Sequence, residues 1–237
     1  MVKKAVATMT PTAIGLPRHE VYIWTVALDR PREGWPRLLG CLSPDEQVRA
    51  GRFRFEPDRL RFVVARAALR EILGSCIGLP AQEVVFEYGL YGKPALGNGG
   101  ARQIGFNLAH CQGLALIAVA AGRRVGVDLE LISSEVAEGR MRIAERFFSA
   151  AEVAALEALP RRLQDEAFLA CWTRKEAYLK ARGEGLSTPL DGFSVSLTPG
   201  EPAALLDCPG AQDEIQNWSL LSFTPAPHFI AAVAVEG

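Results

Sequence analysis

Long apolar runs, paired cysteines, histidines and an excess of either charge are all scarce in this 237-residue chain. The longest apolar run, Leu114 to Ala121, falls well short of the ~20 residues that span a bilayer, so no transmembrane helix and no membrane partner are expected. The five cysteines, Cys41, Cys76, Cys111, Cys171 and Cys208, form no C-x-x-C pair, which argues against a disulfide framework or a zinc knuckle and points to a reducing cytoplasm. Three histidines cannot supply a His-rich zinc site unless distant residues assemble one. Lys+Arg 26 against Asp+Glu 27 leaves no overall charge to attract a polyion, so only local clusters can indicate a partner. There is also no G-x-S-x-G elbow, Walker A loop or H-E-x-x-H, and the "GNGG" from Gly97 opens no dinucleotide-binding helix. Serine hydrolases and P-loop enzymes are thereby set aside.

What is present, 49% hydrophobic and 22% charged residues, describes a globular protein with one large or two small cores. The opening "MVKKAVATMTPTAIGLP" is broken by Thr8, Thr10 and Pro11 before it becomes a secretory core, and residues 1–20 are expected to be a disordered lead-in. Val21 to Leu28 reads as a strand. Ser43-Pro44-Asp45-Glu46 starts one helix, and a second is expected from Pro57 to Leu73, closed by Gly74. Strands are expected at Val84 to Tyr88, Gly105 to Leu108, Leu114 to Ala120 and Val125 to Leu129. Helix follows from Val136 to Arg182, interrupted near Pro160, then strands at Phe193 to Leu197, Trp218 to Phe223 and Phe229 to Val235. The grouping predicts an α+β fold dividing near Arg123, with one part over 21–123 and the other over 124–237.

Five constellations carry candidate chemistry. Asp128 and Glu130 in "VGVDLE" lie two apart on a strand, roughly 6.5–7 Å along one face, where they either converge on one ion or face solvent at the strand end. Oxygen ligands suit magnesium. In Trp172-Thr173-Arg174-Lys175-Glu176-Ala177-Tyr178-Leu179-Lys180, helical spacing puts Glu176 within the stripe of Phe168, Trp172 and Leu179, where a carboxylate needs a cation. Either Lys180 pairs with it, or Glu176 joins Asp128 and Glu130 around a metal. Arg59, Arg66 and Arg70, in an arginine-rich stretch from Arg49 to Arg70, fall within about 20–30° of one helical stripe, a phosphate-binding or merely solvated face. Lys93 sits in a Gly-Lys-Pro turn and His110 ends Phe106-Asn107-Leu108-Ala109-His110. Ser149 and Glu152 have capping-box spacing, with a general base beside a metal as the competing role for Glu152.

Taken in order, Gly92-Lys93-Pro94, Phe106 to His110, Gly126 to Glu130, Phe147-Phe148-Ser149-x-x-Glu152, Trp172-Thr173-x-Lys175-Glu176-Ala177-x-x-Lys180 and Leu186-Ser187-x-Pro189-Leu190 resemble the 4′-phosphopantetheinyl transferases of the long, surfactin-synthetase-activating type. The resemblance implies an enzyme that moves the phosphopantetheine arm of coenzyme A onto a serine of an acyl or peptidyl carrier protein, releasing 3′,5′-ADP. The carrier would serve peptide, polyketide or fatty-acid synthesis. It also implies a monomer of two similar subdomains related by a pseudo-twofold, with coenzyme A between them.

By the same resemblance, Asp128, Glu130 and Glu176 match the ligands of magnesium (or manganese). Lys180 and Lys175 face the phosphates, Lys93, His110 and Arg49 match coenzyme A contacts, and Glu152 matches the base. Ala109 stands where the family usually has Ser, and Glu46 where it often has Lys; Arg66 is expected to compensate. A nucleotide or nucleic-acid-binding module built on the arginine stripe is the competing reading, opposed by the balanced charge.

Overall fold

Alternating β-branched and aromatic residues set the first strands, and the sheet they build is described, with the rest of the chain, by a computed structural model over residues 2–6, 16–29, 34–97, 103–185, 188–210 and 212–237. The chain divides into two compact units, Met1–Glu87 with Pro94–Gly122, and Tyr88–Lys93 with Arg123–Gly237. Helices and largely antiparallel sheets are grouped in it, an α+β architecture. Among the described residues no helix is long and apolar enough to cross a membrane.

The first unit contains strands β1 (Val2–Val6) and β2 (Val21–Ala27), helices α1 (Trp35–Cys41), α2 (Pro44–Gly51) and α3 (Glu56–Ile77), the short strands β3 (Phe86–Tyr88, of which Tyr88 is counted with the second unit) and β4 (Pro94–Leu96), and strands β5 (Ile104–Cys111) and β6 (Leu114–Ala121). Its sheet runs β1-β2-β6-β5. Ala115 to Ala120 of the inner strand β6 are all buried, which is why that strand reads as an unbroken apolar run. Val63, Val64, Ala67 and Leu73 of α3 share a core with Trp24, Val26, Ile117 and Val119.

Three local expectations change. Part of the lead-in is ordered: Val2–Val6 pair in parallel with β2, Val2 opposite Val21, because the bare edge of β2 offers a row of backbone partners. Residues 1 and 7–15 lie outside the described residues. Helix α1, begun by Gly34 and Pro36, was not expected at all. Gly74 does not close α3, because it lies inside the helix where the Leu79 carbonyl passes too close for a Cβ. Gly78 ends the helix at φ 70°, in the left-handed region glycine tolerates.

The second unit contains β7 (Val125–Leu131), α4 (Ser134–Phe147), α5 (Ala150–Ala158), α6 (Arg161–Arg182), β8 (Ser194–Val195), β9 (Leu205–Asp207), α7 (Gln212–Gln216), β10 (Trp218–Phe223) and β11 (Phe229–Glu236). An antiparallel sheet runs β10-β11-β7, with Asp128 opposite Ala232 and Glu130 opposite Ile230. The break between α4 and α5 falls where Ser149 caps, and that between α5 and α6 at Pro160, which has no N–H to continue a helix. Tyr178 of α6 meets Trp218 edge-on, ring centres 5.2 Å apart, and Phe148 stacks on Phe168 at the same distance. Helix α6 thus lies across the sheet with its aromatic side chains locked.

Candidate active site

Gly126 decides how near α6 comes to β7. A Cβ there would collide with the Ala177 carbonyl and the Ala181 amide and lie 3.0 Å from the Ala181 Cα, so the helix backbone rests directly on the strand. An isolated glycine inside a strand is the sequence signal for such an approach. Between residues 171 and 181, α6 is buried nearly all round, and only Trp172, Glu176 and Lys180 are partly open. Those three lie four apart on one edge. Glu176 therefore sits on the open edge of the helix; the expectation that it falls in the buried stripe is corrected, since the other sides of α6 here, polar Arg174 and Lys175 included, are covered by protein.

That edge faces Asp128. The Lys180 ammonium donates to Asp128 Oδ1 at 2.5 Å, which answers the choice of partner: Lys180 reaches across to the strand. Asp128 is 5% exposed, and its Oδ2 is buried with no hydrogen-bond partner among the described residues. Burial raises the Asp128 pKa, against the pull of Lys180. Burial also raises the pKa of Glu176; Lys180 opposes this and the neighbouring Asp128 charge adds to it. Two carboxyls that burial discourages from ionising, one with an orphaned oxygen, form a place that a divalent cation would relieve.

Among the described residues, however, no three His, Cys, Asp or Glu side chains stand close enough together to hold a metal. Asp128, Glu130 and Glu176 do not stand together as such a group: the Lys180 ammonium lies against Asp128, and Glu130 is half-buried further along β7. Asp128 with Glu176 still fits magnesium, which commonly takes one or two carboxylates beside waters and substrate phosphates.

Several other expected contacts are spent within the protein. Lys175 is 0% exposed, and its three donors go to the carbonyls of Leu190 (2.7 Å) and Phe193 (2.5 Å) and to Glu152 Oε2 (2.8 Å). The chain around it thus satisfies all three donors. Glu152, 2% exposed, accepts from the amides of Ser149 (2.8 Å) and Val195 (2.7 Å) as well as from Lys175. The capping box is formed, and both carboxylate oxygens are engaged by donors of the protein itself. Lys93 donates to the carbonyls of Val125 (3.2 Å) and Ala181 (2.8 Å), tying β7 to the end of α6. Burial, with the nearby Arg124 charge, lowers its pKa to about 8. Its side chain passes over Gly183, where φ is +74° and a Cβ would be in the way.

In the first unit the arginine stripe dissolves into structure. Arg66 and Arg70 both pair with Glu46, Arg70 Nε at 2.5 Å, and Arg70 also donates to the carbonyls of Ala81 and Val84. Arg59 lies over the Trp35 ring at 5.6 Å. Arg66, expected to compensate for Glu46 toward coenzyme A, is paired with Glu46 itself. Arg49 remains exposed, its guanidinium 5.2 Å from the centre of the Phe62 ring. His110 is exposed on β5, and Ala109 is buried on the opposite face, so the Ala109 side chain is not on the His110 side of the strand. Leu186 and Ser187 of the last motif lie outside the described residues.

The sequence pattern of the 4′-phosphopantetheinyl transferase superfamily matches residues 124–234, and that of the 4′-phosphopantetheinyl transferase N-terminal region matches residues 29–122. The 4′-phosphopantetheinyl transferase HetI of Nostoc sp. is 40% identical over 96% of this chain and 92% of its own length. The chain belongs to the 4′-phosphopantetheinyl transferase superfamily. Another relative, the 4′-phosphopantetheinyl transferase Sfp of Bacillus subtilis, is 30% identical over 74% of this transferase and 76% of its own length. Among solved structures, a holo-[acyl-carrier-protein] synthase of Helicobacter pylori in complex with coenzyme A matches 48% of this chain and 99% of its own at 21% identity, with a TM-score of 0.38.

Sequence reasoning missed two residues that shape the transferase. Gly126 was legible as a glycine inside a strand, while the receiving role of Glu46 had no local signal, since its partners come from a different helix.

Proposed function

We propose that this transferase moves the 4′-phosphopantetheine arm of coenzyme A onto a serine hydroxyl of an acyl or peptidyl carrier protein, as a cytoplasmic monomer, with magnesium (or manganese) held by Asp128 and Glu176 and bordered by Glu130. The serine oxygen loses its proton to water and bonds to the phosphorus as the bond from that phosphorus to 3′,5′-ADP breaks. A bound magnesium ion supplies charge neutralisation for the pyrophosphate oxygens. Lys180, partly exposed and already beside Asp128, donates to the phosphate oxygen that leaves. Arg49 and His110, exposed in the first unit, are the coenzyme A contacts that the family resemblance retains. The observation that carries this reading is the buried, unpartnered Asp128 Oδ2, set beside a second carboxyl and a lysine in a superfamily of this chemistry.

The test is mass spectrometry of an apo carrier protein incubated with the transferase, coenzyme A and magnesium, beside Glu176→Ala. The expected result is a gain of one phosphopantetheine mass that disappears with the variant or with chelator. Full transfer by Glu176→Ala would remove Glu176 from the metal site.

A further inference from the structure

One ion pair in the second unit is almost wholly buried, Lys175 at 0% and Glu152 at 2% exposure. Lys175 Nζ has three N–H donors and three acceptors, the carbonyls of Leu190 and Phe193 and the Glu152 carboxylate, and it lies 4.3 Å from the centre of the Phe193 ring. Glu152 in turn receives the Ser149 and Val195 amides, and Ser149 Oγ meets Ser194 Oγ at 2.8 Å. The pair thereby pins α6 to the start of α5 and to the segment from Leu190 to Val195. Successive residues on a helix point about 100° apart, so anchoring Lys175 inward sets the rotation of α6. That rotation is what brings Glu176, the next residue, and Lys180 onto the edge facing Asp128.

We propose that Glu152 and Lys175 are a positioning pair for the metal-side edge of α6, with neither acting on the substrate: Glu152 takes no proton from the carrier serine and Lys175 contacts no phosphate. The proposal rests on the transferase reading given above. Removing one member of a buried pair strands the charge of the other, whereas replacing both with neutral groups is commonly tolerated. A missing base, by contrast, cannot be restored by neutralising a lysine.

The test compares wild type, Glu152→Gln, Lys175→Gln and the double variant Glu152→Gln/Lys175→Gln. The paired amides keep an acceptor for the Val195 N–H and donors for the Leu190 and Phe193 carbonyls. Thermal melting, magnesium affinity by calorimetry and the pH dependence of transfer to an apo carrier are read for each. Both single variants should melt lower, bind magnesium more weakly and transfer more slowly. The double variant should regain roughly tenfold or more in transfer over the worse single, with magnesium affinity returning in step. The acid limb of its pH profile should match that of wild type. The proposal is overturned if the double variant is no better than Glu152→Gln. It is equally overturned if Glu152→Gln melts and binds magnesium like wild type yet loses transfer together with the acid limb. Failure of wild type to modify any carrier would instead count against the transferase reading, and the melting and calorimetry would still decide whether the pair positions α6.

Discussion

Glu46 shows what a single carboxylate can do when two arginines need it. Its Oε1 faces Arg66 and its Oε2 faces Arg70 at 2.5 Å, while the Ser43 amide donates at 3.1 Å. Burial alone would raise its pKa, but Arg66 and Arg70 outweigh that and hold it below the ordinary value of 4.5. A depressed carboxyl contributes stability that is fully present above its unfolded pKa and is lost as pH falls through the folded one. Glu46→Gln should therefore cost about 3–5 kcal/mol at pH 7, because it leaves buried Arg70 without its countercharge. Urea unfolding of both proteins from pH 7 downward checks this, and the gap between them should begin to shrink once the pH passes below about 4.5. Asp128 and Glu176, whose pKa values are raised, contribute with the opposite sign, but equally to both proteins. A gap that stays constant to the lowest pH would show that the carboxylate charge is not what the arginines use.

At the scale of elements, the crossing of α6 over β7 is the part on which the site depends. Gly126→Ala puts a methyl group against helix backbone, which cannot move like a side chain, so a loss of about 1–3 kcal/mol or more is expected in chemical denaturation. Transfer should fall beyond what that loss explains, because displaced Glu176 and Lys180 no longer meet Asp128. Gly78→Ala, strained by its left-handed φ of 70° yet with open space around it, is the control: about 1 kcal/mol lost and transfer kept. Equal transfer by both variants would deny the crossing its role. Much of this was legible in sequence. The runs that became β6, β7, β10 and β11 are apolar enough to announce themselves, and Ser149 and Pro160 mark where the helices break. The inward direction of Lys175 was not legible, since its acceptors are backbone carbonyls 15 and 18 residues away, which no side-chain pattern records. The open edge of α6 was hidden for a related reason: when nearly every face of a helix is buried, periodicity no longer separates inside from outside.

Across the whole molecule, the family was readable because six short motifs stand in order, whereas the fate of each cation depended on partners brought from other elements. The arginine-rich stretch makes the difference plain. In sequence it reads as a polyanion-binding stripe; in the fold Arg66 and Arg70 serve Glu46, Arg61 serves Asp29 at 2.7 Å, and Arg49, Arg52, Arg54 and Arg59 remain exposed. With a net charge of −1 there is no general attraction to reinforce those four. Counterion release gives a salt slope of roughly −0.9 per phosphate neutralised, so four arginines support a slope no steeper than about −4. Titration of a labelled DNA duplex and of a single-stranded RNA across a salt series should accordingly show binding no tighter than about 10⁻⁴ M near physiological salt. Micromolar binding there, or a slope nearer −6, would mean that the Glu46 network opens to release its arginines. Glu46→Gln, which frees them from their carboxylate, would then bind more tightly still, whereas in the fold as described it should unfold more easily and gain little affinity.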